Sequence, residues 1–365
     1  MTHRLDDKFV QEVCYKREDG QNPVFSSDHI NPLVQAEEPL LHSSCSLTKG
    51  QTSTTSKPFV STSPARIPPR RIALCGGGMK CVAHVGVMKA FKAANMLHCL
   101  KEMIGISGGA FFCLLYVLGY TLDEIERLSI EFDFSVLRTI EPDSMFMFPV
   151  TFGLDAGDSI ERLIVSVLRQ KGFGPTTTFR ELADHCPVSL RCYATELQTS
   201  KIREFSVKAS PTATIVFAIH ASMALPVLYT PVKDPASNIL LVDGGILHNL
   251  PLVFLNEQET AETIGILFTG GEGEGEGDAE VESQEPTIID VCRYIYNTVN
   301  VMRTLPYIEK YKENLIRIDL GSQTAFNFEE TPESRAGLIE AAMKQANTFI
   351  YGFRFSRPAR RFSAC

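Results

Sequence analysis

The 365-residue sequence has no tryptophan and no convincing bilayer-spanning run. The nearest approach to a membrane span, residues 103–120, is uncharged, but residues 105–109 read Gly-Ile-Ser-Gly-Gly. Because small turn-forming residues interrupt it so early, we interpret this stretch as a strand, a turn and a buried helix. The opening residues MTHRLDDKFV also lack the apolar segment of a signal peptide. The sequence therefore predicts neither a transmembrane segment nor a secretory leader.

The ten cysteines include no CxxC pair, so the spacing gives no sign of a metal site or of a disulfide framework. Cys75, Cys81 and Cys113 stand inside apolar stretches, where a cysteine usually behaves as a small buried hydrophobic residue. Reduced thiols are typical of intracellular proteins. We therefore expect a cytoplasmic protein, which could also associate peripherally with membranes.

Basic residues are in a minority, at 35 against 43 acidic ones, for a net charge of −8. Residues 271–285 hold seven acids and no basic residue, so the rest of the chain is close to neutral. A nucleic-acid-binding protein would carry a concentrated basic stripe, so we expect no nucleic-acid partner. A short basic cluster closes the chain at Arg354, Arg357, Arg360 and Arg361; it is interpreted as a solvated tail or as a weak attractant for anionic lipid.

Composition changes along the chain predict a central domain with two tails. Residues 1–68 are rich in Ser, Thr, Gln and Pro and show no sustained periodicity, which predicts a disordered or loosely attached tail. Residues 69–352 form the predicted domain, interrupted by an acidic Gly/Glu loop at residues 270–286. Residues 353–365 form the predicted basic C-terminal tail.

Short apolar runs alternate with helical patterns through the central domain, which favours a mainly parallel sheet covered by helices. Helix starts are indicated by Thr121 with Glu124, by Asp158 with Glu161, and by Thr331 followed by Pro332. The predicted strands are residues 72–75, 102–106, 188–194, 239–242, 264–268 and 315–320.

The first of three short motifs is Gly76-Gly77-Gly78-Met79-Lys80, which follows a predicted strand and precedes a helical pattern. Glycines let backbone amides approach a ligand closely, and a helix start adds positive charge, so this loop suits an anion. The phosphate-loop pattern is absent, and the dinucleotide-binding pattern fails at Cys81. By itself the loop is also compatible with a plain tight turn.

The second motif, Gly105-Ile106-Ser107-Gly108-Gly109, is a G-x-S-x-G element between a predicted strand and an apolar helix. Small residues on both sides of a serine allow the sharp turn that projects its hydroxyl above a sheet. The helix that follows is apolar on all sides and is therefore expected to be buried. This arrangement suits a nucleophilic serine on a rigid turn, although the motif by itself favours a glycine-rich turn without a catalytic role.

The third motif, Asp243-Gly244-Gly245, directly follows the apolar run 239–242. We expect Asp243 at the C-terminal end of a parallel strand, where open α/β sheets place their ligands. Each motif alone is expected by chance in about one chain in ten, and all three together in roughly one in a thousand. Their conjunction therefore outweighs the reading of each as a simple turn.

In this order the motifs GGGMK, GISGG and DGG resemble those of the patatin-like phospholipases. The segment Ala221-Ser222-Met223-Ala224-Leu225-Pro226 resembles a further block of that family, and the likeness spans about residues 71–350. The resemblance implies a three-layer α/β/α fold and hydrolysis of acyl lipids by a Ser-Asp dyad without a cofactor or metal. The residues that match are Ser107 as nucleophile, Asp243 as its base, Gly76, Gly77 and Gly78 as the oxyanion loop, and Gly105 and Gly109 as the neighbours of the nucleophile turn.

The chemistry of these residues fits the implied reaction, because a serine hydroxyl needs a base to accept its proton and donors to stabilise the oxyanion. His220 or His248 could instead complete a Ser-His-Asp triad. Lys80 is expected to be solvated beside the loop or to contact a phospholipid headgroup. The expected partner is a lipid substrate, with transient contact at a membrane surface; the oligomeric state is not indicated.

Three other functions stay open at this point: an acyltransferase or thioesterase that uses the same serine, an inactive lipid-binding member, and nucleotide binding through the glycine loop. The inactive alternative rests on Cys81, which stands where the family usually has glycine. We expect activity to survive unless that position requires a positive φ. Phe146, Phe148 and Phe152 are interpreted as core residues in preference to an acyl channel.

Overall fold

A computed structural model describes residues 67–270, 287–321, 328 and 330–352. The predicted N-terminal tail, except Ile67 and Pro68, lies outside the described residues, as do the C-terminal tail and all of the acidic loop except Gly270. The predicted domain boundaries therefore stay predictions.

The described residues form ten strands and ten α-helices. The strands are β1 (Arg71–Leu74), β2 (Glu102–Ile106), β3 (Gly153–Asp155), β4 (Ser189–Glu196), β5 (Lys201–Ser206), β6 (Val227–Tyr229), β7 (Val232–Lys233), β8 (Leu240–Asp243), β9 (Thr263–Thr269) and β10 (Leu315–Asp319). The helices are α1 (Ala83–Ala93), α2 (Gly108–Val117), α3 (Leu122–Glu131), α4 (Ser144–Thr151), α5 (Asp158–Gln170), α6 (Phe179–His185), α7 (Ile215–Met223), α8 (Glu257–Ala261), α9 (Ile288–Lys310) and α10 (Pro332–Tyr351). All six predicted strands are confirmed, with ends that differ by at most two residues.

The main sheet has the order β10-β9-β1-β2-β4-β8-β7, and β5 pairs with β4. The strands from β10 to β4 run parallel, whereas β5, β7 and β8 make antiparallel pairs. A separate parallel pair is formed by β3 and β6. The prediction of a mainly parallel α/β sheet is confirmed.

Apolar residues on successive positions of β1 face two different cores. Ile72 and Leu74 belong to a large cluster that includes residues of α1, α2 and α10. Ala73 and Cys75 belong to a second cluster, which contains Leu250, Leu252 and part of α9. Because neighbouring side chains of a strand point to opposite faces, the sheet is covered on both sides. This arrangement gives the expected three layers.

The N-caps of three helices can be compared with the caps predicted from the sequence. Thr121 and Glu124 form a complete capping box at α3, and Thr331 caps α10 ahead of Pro332, as predicted. The predicted box at Asp158 is wrong, because the N-cap of α5 is Gly157, whose amide donates to Asp155. Among the described segments, no helix combines the length and hydropathy that a membrane span requires.

A glycine controls the packing of α1 against α10. A β-carbon at Gly86 would lie far inside contact distance of the Ile339 carbonyl oxygen, and 2.8 Å from the Met343 backbone nitrogen. These neighbours are backbone atoms of a long helix, so a larger side chain cannot be accommodated by a rotamer change. Gly337, on the exposed side of α10, has nothing within 4 Å of the corresponding position.

This contrast gives a stability prediction. We expect Gly86→Ala to destabilise the protein by about 2–3 kcal/mol, because the two helices must separate. The control Gly337→Ala should stabilise it by up to about 1 kcal/mol, since alanine is the better helix former. Urea unfolding followed by circular dichroism measures both changes, and equal midpoints for the two variants would contradict the packing argument.

Candidate active site

The turn after β2 holds Ser107 in an unusual backbone conformation. Ser107 has φ 54° and ψ −133°, a region that residues with a β-carbon seldom occupy. Its amide donates to the Ser222 hydroxyl oxygen on α7 at 3.0 Å. Conformations of this kind persist where surrounding contacts fix them and are common at functional sites. The serine side chain is 8% exposed, at the wall of a cavity.

Two glycines make this turn possible. A β-carbon at Gly105 would lie 2.5 Å from the Ala110 α-carbon, and one at Gly109 would overlap the carbonyl oxygen of Cys75. Gly109 therefore lets the start of α2 press against the end of β1. Because the glycine loop begins directly after Cys75, this contact holds the loop beside Ser107.

Asp243 ends β8 and is 1% exposed. Its carboxylate accepts a hydrogen bond from the Gly245 amide at 2.7 Å, and the Ser107 hydroxyl lies close enough to lower its pKa. Burial raises the pKa of Asp243 to about 6, and the interactions with Ser107 and with the Gly245 amide oppose part of that rise. The structure thus brings together the predicted alcohol and the predicted carboxylate.

The route by which Asp243 arrives differs from the prediction. β8 is antiparallel to its neighbour β4, with Asp243 opposite Ala194. Along β4, Ala194 directly follows Tyr193, the partner of Ile106 in the parallel pair with β2. The end of β8 therefore lies level with the end of β2. The expectation of a parallel strand before Asp243 is wrong, although the predicted sheet edge is right.

The glycine loop is held by a side chain that sequence reasoning missed. The Gly76 amide donates to the Asn249 side-chain oxygen at 2.8 Å, and the Asn249 amide group donates to the Gly76 carbonyl at 3.1 Å. Asn249 thereby connects the loop after β1 to the loop after β8. The only local signal is an asparagine six residues after Asp243, a residue type that often bonds to backbone groups.

Gly77 and Gly78 form part of the cavity wall together with Ser107 and Asp243. Gly78 has φ 52°, in the left-handed region that favours glycine. A short 3₁₀ helix starts there, and the Lys80 amide donates back to the Gly77 carbonyl. Of the three predicted loop glycines, these two face the cavity, and Gly76 is bonded to Asn249.

Cys81 fits the structure without backbone strain. It lies in the 3₁₀ helix Gly78–Val82 and is not among the residues with positive φ. A β-carbon at Gly108 would lie 2.8 Å from the Cys81 sulfur, so the thiol packs against the nucleophile turn. Burial raises the pKa of Cys81 well above its usual value, which keeps the thiol protonated.

Lys80 lies away from this wall. Its ammonium group donates to the Gly270 carbonyl at 3.1 Å, and the residue is partly buried. It is not part of the lining of the cavity beside Ser107. A contact between Lys80 and a headgroup stays a prediction.

Neither candidate histidine belongs to the cavity lining. His220 contacts the Glu161 carboxylate through Nδ1 at 2.8 Å, and a β-carbon at Gly157 would overlap its Nε2. The His248 ring packs against Tyr307 with ring centroids 4.9 Å apart. Both rings are therefore engaged elsewhere in the fold.

The space beside Ser107 measures about 1080 Å³ when its opening to solvent is included. Apart from the serine and the aspartate its wall is largely apolar. Tyr296 of α9 also lines it, and burial raises the pKa of that phenol well above its usual value. The apolar lining includes Phe111, Phe112, Leu115, Ile125, Leu128, Phe132, Phe134, Leu137, Leu163, Leu225 and Leu228.

The site contains no obvious place for a metal ion, since no group of three His, Cys, Asp or Glu side chains converges anywhere in the described part of the chain. The groups available for chemistry are a hydroxyl, a buried carboxylate and nearby backbone amides. Such a set suits attack on a carbonyl carbon.

Comparison with known proteins agrees with this geometry. Residues 72–255 match the family model described as Patatin-like phospholipase. An uncharacterized protein of Acanthamoeba polyphaga mimivirus is 30% identical over 54% of this chain and 65% of its own length. A protein of Invertebrate iridescent virus 6, named as a probable lipid hydrolase, is 26% identical over 50% of this chain and 62% of its own length. The chain thus spans less than two thirds of either relative.

Among solved structures, VipD from Legionella pneumophila superposes with a TM-score of 0.52. The match covers 78% of this chain and 67% of VipD, at 16% sequence identity. At that identity the likeness concerns the fold alone. Together, the fold and the family match over half of the sequence show that the chain belongs to the patatin-like phospholipase family.

Proposed function

We propose that the protein is a lipid acyl hydrolase that cleaves carboxylic esters by a dyad of Ser107 and Asp243. The observation that carries this proposal is that Ser107 and Asp243 lie together in the wall of one apolar cavity, close enough for the hydroxyl to lower the pKa of the carboxylate. The family match and the named lipid hydrolase among the relatives support the same substrate class.

In the proposed reaction Asp243 accepts the proton of Ser107 while the serine oxygen bonds to the ester carbon. The tetrahedral intermediate collapses, and the alcohol leaves with the proton held by Asp243. Water then attacks the acyl-serine while Asp243 accepts a proton from it; the bond between the acyl carbon and the serine oxygen breaks, Asp243 returns the proton to Ser107, and the fatty acid is released. The products are a free fatty acid and the alcohol portion of the lipid.

The developing oxyanion needs hydrogen-bond donors, and the glycine loop is the proposed source. Gly77 and Gly78 line the cavity next to Ser107, so we assign donation to their amides. The Gly76 amide already donates to Asn249, so we assign Gly76 the role of anchor. Losing one donor of this kind typically weakens stabilisation of the transition state by about 3 kcal/mol.

A dyad accounts for the site better than a triad. Asp243 lines the cavity beside Ser107 and interacts with its hydroxyl, whereas His220 is bonded to Glu161 and His248 packs against the Tyr307 ring. The buried carboxylate is also a stronger proton acceptor than an exposed one, because burial raises its pKa to about 6. At neutral pH it is still mostly ionised and ready to accept a proton.

The first test removes each member of the dyad. Ser107→Ala and Asp243→Asn should each lower hydrolysis of a soluble p-nitrophenyl ester by more than about a thousandfold, with little change in melting temperature. His220→Gln and His248→Gln are the matched controls and should retain most activity. A fluorophosphonate probe should label the parent but not Ser107→Ala. Parental turnover by Ser107→Ala, or loss of turnover in a correctly folded histidine variant, would overturn the dyad.

The substrate class is tested with lipid extracts. Parent and Ser107→Ala proteins are incubated with the same extract, and free fatty acid and lysolipid are measured by mass spectrometry. Only the parent should release fatty acid. If instead added alcohols or thiols take up the acyl group faster than water does, the protein is an acyltransferase.

The pKa of Asp243 predicts the acidic limb of the pH profile. Because the base must be ionised, kcat/KM should fall about tenfold per pH unit below pH about 6 and level off above it. Initial rates on the soluble ester from acid to neutral pH measure this limb. His248→Gln should leave it in place, and a limb that disappears in that variant would assign the titration to histidine.

Asn249 should influence the rate through the glycine loop. Asn249→Ala removes both hydrogen bonds to Gly76, each worth about 1 kcal/mol, and should lower kcat by about 10–100-fold with a smaller effect on KM. Asn249→Asp keeps an acceptor but adds negative charge near Asp243, so its acidic limb should move to higher pH. A kcat equal to that of the parent in Asn249→Ala would show that the anchor is dispensable.

A further inference from the structure

An exposed apolar helix stands close to the candidate site. No residue of α4 is buried, and the helix carries no charged side chain. Phe146 is 83% exposed, Val150 70% and Met145 59%, and Phe152 just after the helix is 55% exposed. The prediction that Phe146 and Phe152 fill the core is therefore wrong, and neither residue lines the cavity.

A second helix presents a similar surface. On α9, Met302 is 66% exposed, Ile295 59% and Leu305 54%. The nine residues 294–302 include no charged side chain. Most of the exposed large apolar side chains in the described segments lie on these two helices or immediately next to them.

Both helices adjoin the cavity wall. α4 leads directly into β3, where Gly153 pairs with Val227 of β6. The next residues of β6, Leu228 and Tyr229, line the cavity. α9 packs on β6 and contributes Tyr296 to the same wall. The β3–β6 pair thus connects α4 to the cavity wall, and α9 forms part of that wall.

Exposed aromatic and aliphatic side chains grouped in this way are typical of a surface that binds a partner or a membrane. An acyl chain that reaches the cavity must first leave a lipid phase, and this surface adjoins the cavity wall. A neutral lipid interface needs no charge on the protein side, which matches the uncharged residues of α4 and of 294–302. Glu141 and Asp143 precede α4 and disfavour anionic headgroups.

We propose that Met145, Phe146, Val150, Phe152, Ile295 and Met302 form a docking face that inserts into the surface of zwitterionic or neutral lipid. The inference rests on the proposed function for its lipid substrate, and it adds where the protein meets that lipid. A helix of eight residues lying in the interface buries its apolar side chains among the headgroups and upper acyl chains without crossing the bilayer. Binding by this face is driven by burial of apolar area and depends little on salt.

The test uses the full chain carrying Ser107→Ala, so that the lipid is not consumed. This Ser107→Ala protein is the parent for the binding assay. Co-sedimentation with phosphatidylcholine vesicles is measured at low and high salt for the parent, for the parent with Phe146→Ser on α4, and for the parent with Ile295→Ser on α9. The matched control is Ile67→Ser. Ile67 is 88% exposed, but it precedes the N-terminal end of β1, whereas the candidate site lies at the C-terminal end of that strand. Melting temperatures establish that each variant is folded.

We expect Phe146→Ser and Ile295→Ser each to weaken vesicle binding by at least about tenfold, because each removes a large apolar side chain from the lipid. Ile67→Ser should bind like the parent, and high salt should change little. With Ser107 restored, Phe146→Ser should hydrolyse a soluble ester at the rate of the unsubstituted chain but vesicle lipid at least about tenfold more slowly.

The proposal is overturned if Phe146→Ser and Ile67→Ser bind equally, or if the parent fails to bind. It is also overturned if binding requires phosphatidylserine and is lost at high salt, because that result would show that a basic segment binds anionic lipid by electrostatic attraction. Light scattering that shows a dimer in the parent and a monomer in Phe146→Ser would assign the face to a second copy of the chain. An unsubstituted chain that is inactive on soluble ester but binds vesicles through Phe146 would refute the hydrolase and leave the docking face standing.

Discussion

The missing β-carbon at Gly109 is the steric constraint on which the site depends. It lets the start of α2 lie against the carbonyl of Cys75 at the end of β1, the strand that pairs with β2. A β-carbon at Gly76 would in turn lie 2.8 Å from the Ser107 β-carbon, so the loop and the nucleophile turn touch. A larger residue at Gly109 would push these segments apart. The part of the cavity wall formed by the glycine loop and Ser107 depends on this contact.

The apolar surroundings of Asp243 have two effects at once. They form the wall against which the chain of a lipid would pack, and they disfavour the ionised carboxylate and so raise its pKa. A more basic carboxylate is the better partner for a serine hydroxyl near neutral pH. In the proposed dyad, the environment that binds the substrate therefore also raises the pKa of the base. The carboxylate can then accept the serine proton without an intervening imidazole.

The sequence was sufficient to predict features that depend on residues close together in the chain. The strands follow from apolar runs between turn residues, and the box of Thr121 with Glu124 follows from residues three apart. The direction of β8 could not be predicted, because an apolar run of four residues looks the same in either orientation. Asn249 was missed because its partner Gly76 is 173 positions away. Phe146 was wrongly predicted to be buried, because the burial of a helix depends on which distant segment of the chain covers it.

The antiparallel return of β8 has a consequence for how the protein is made. During synthesis the segment with Ser107 leaves the ribosome well before Asp243, and chains generally begin to fold from the N-terminus. β1, β2 and β4 can associate at that stage, but the carboxylate is supplied only when β8 closes on the far side of β4. A nascent chain therefore holds Ser107 without a carboxylate beside it, and the two residues of the proposed dyad meet only after the segment with Asp243 has been translated.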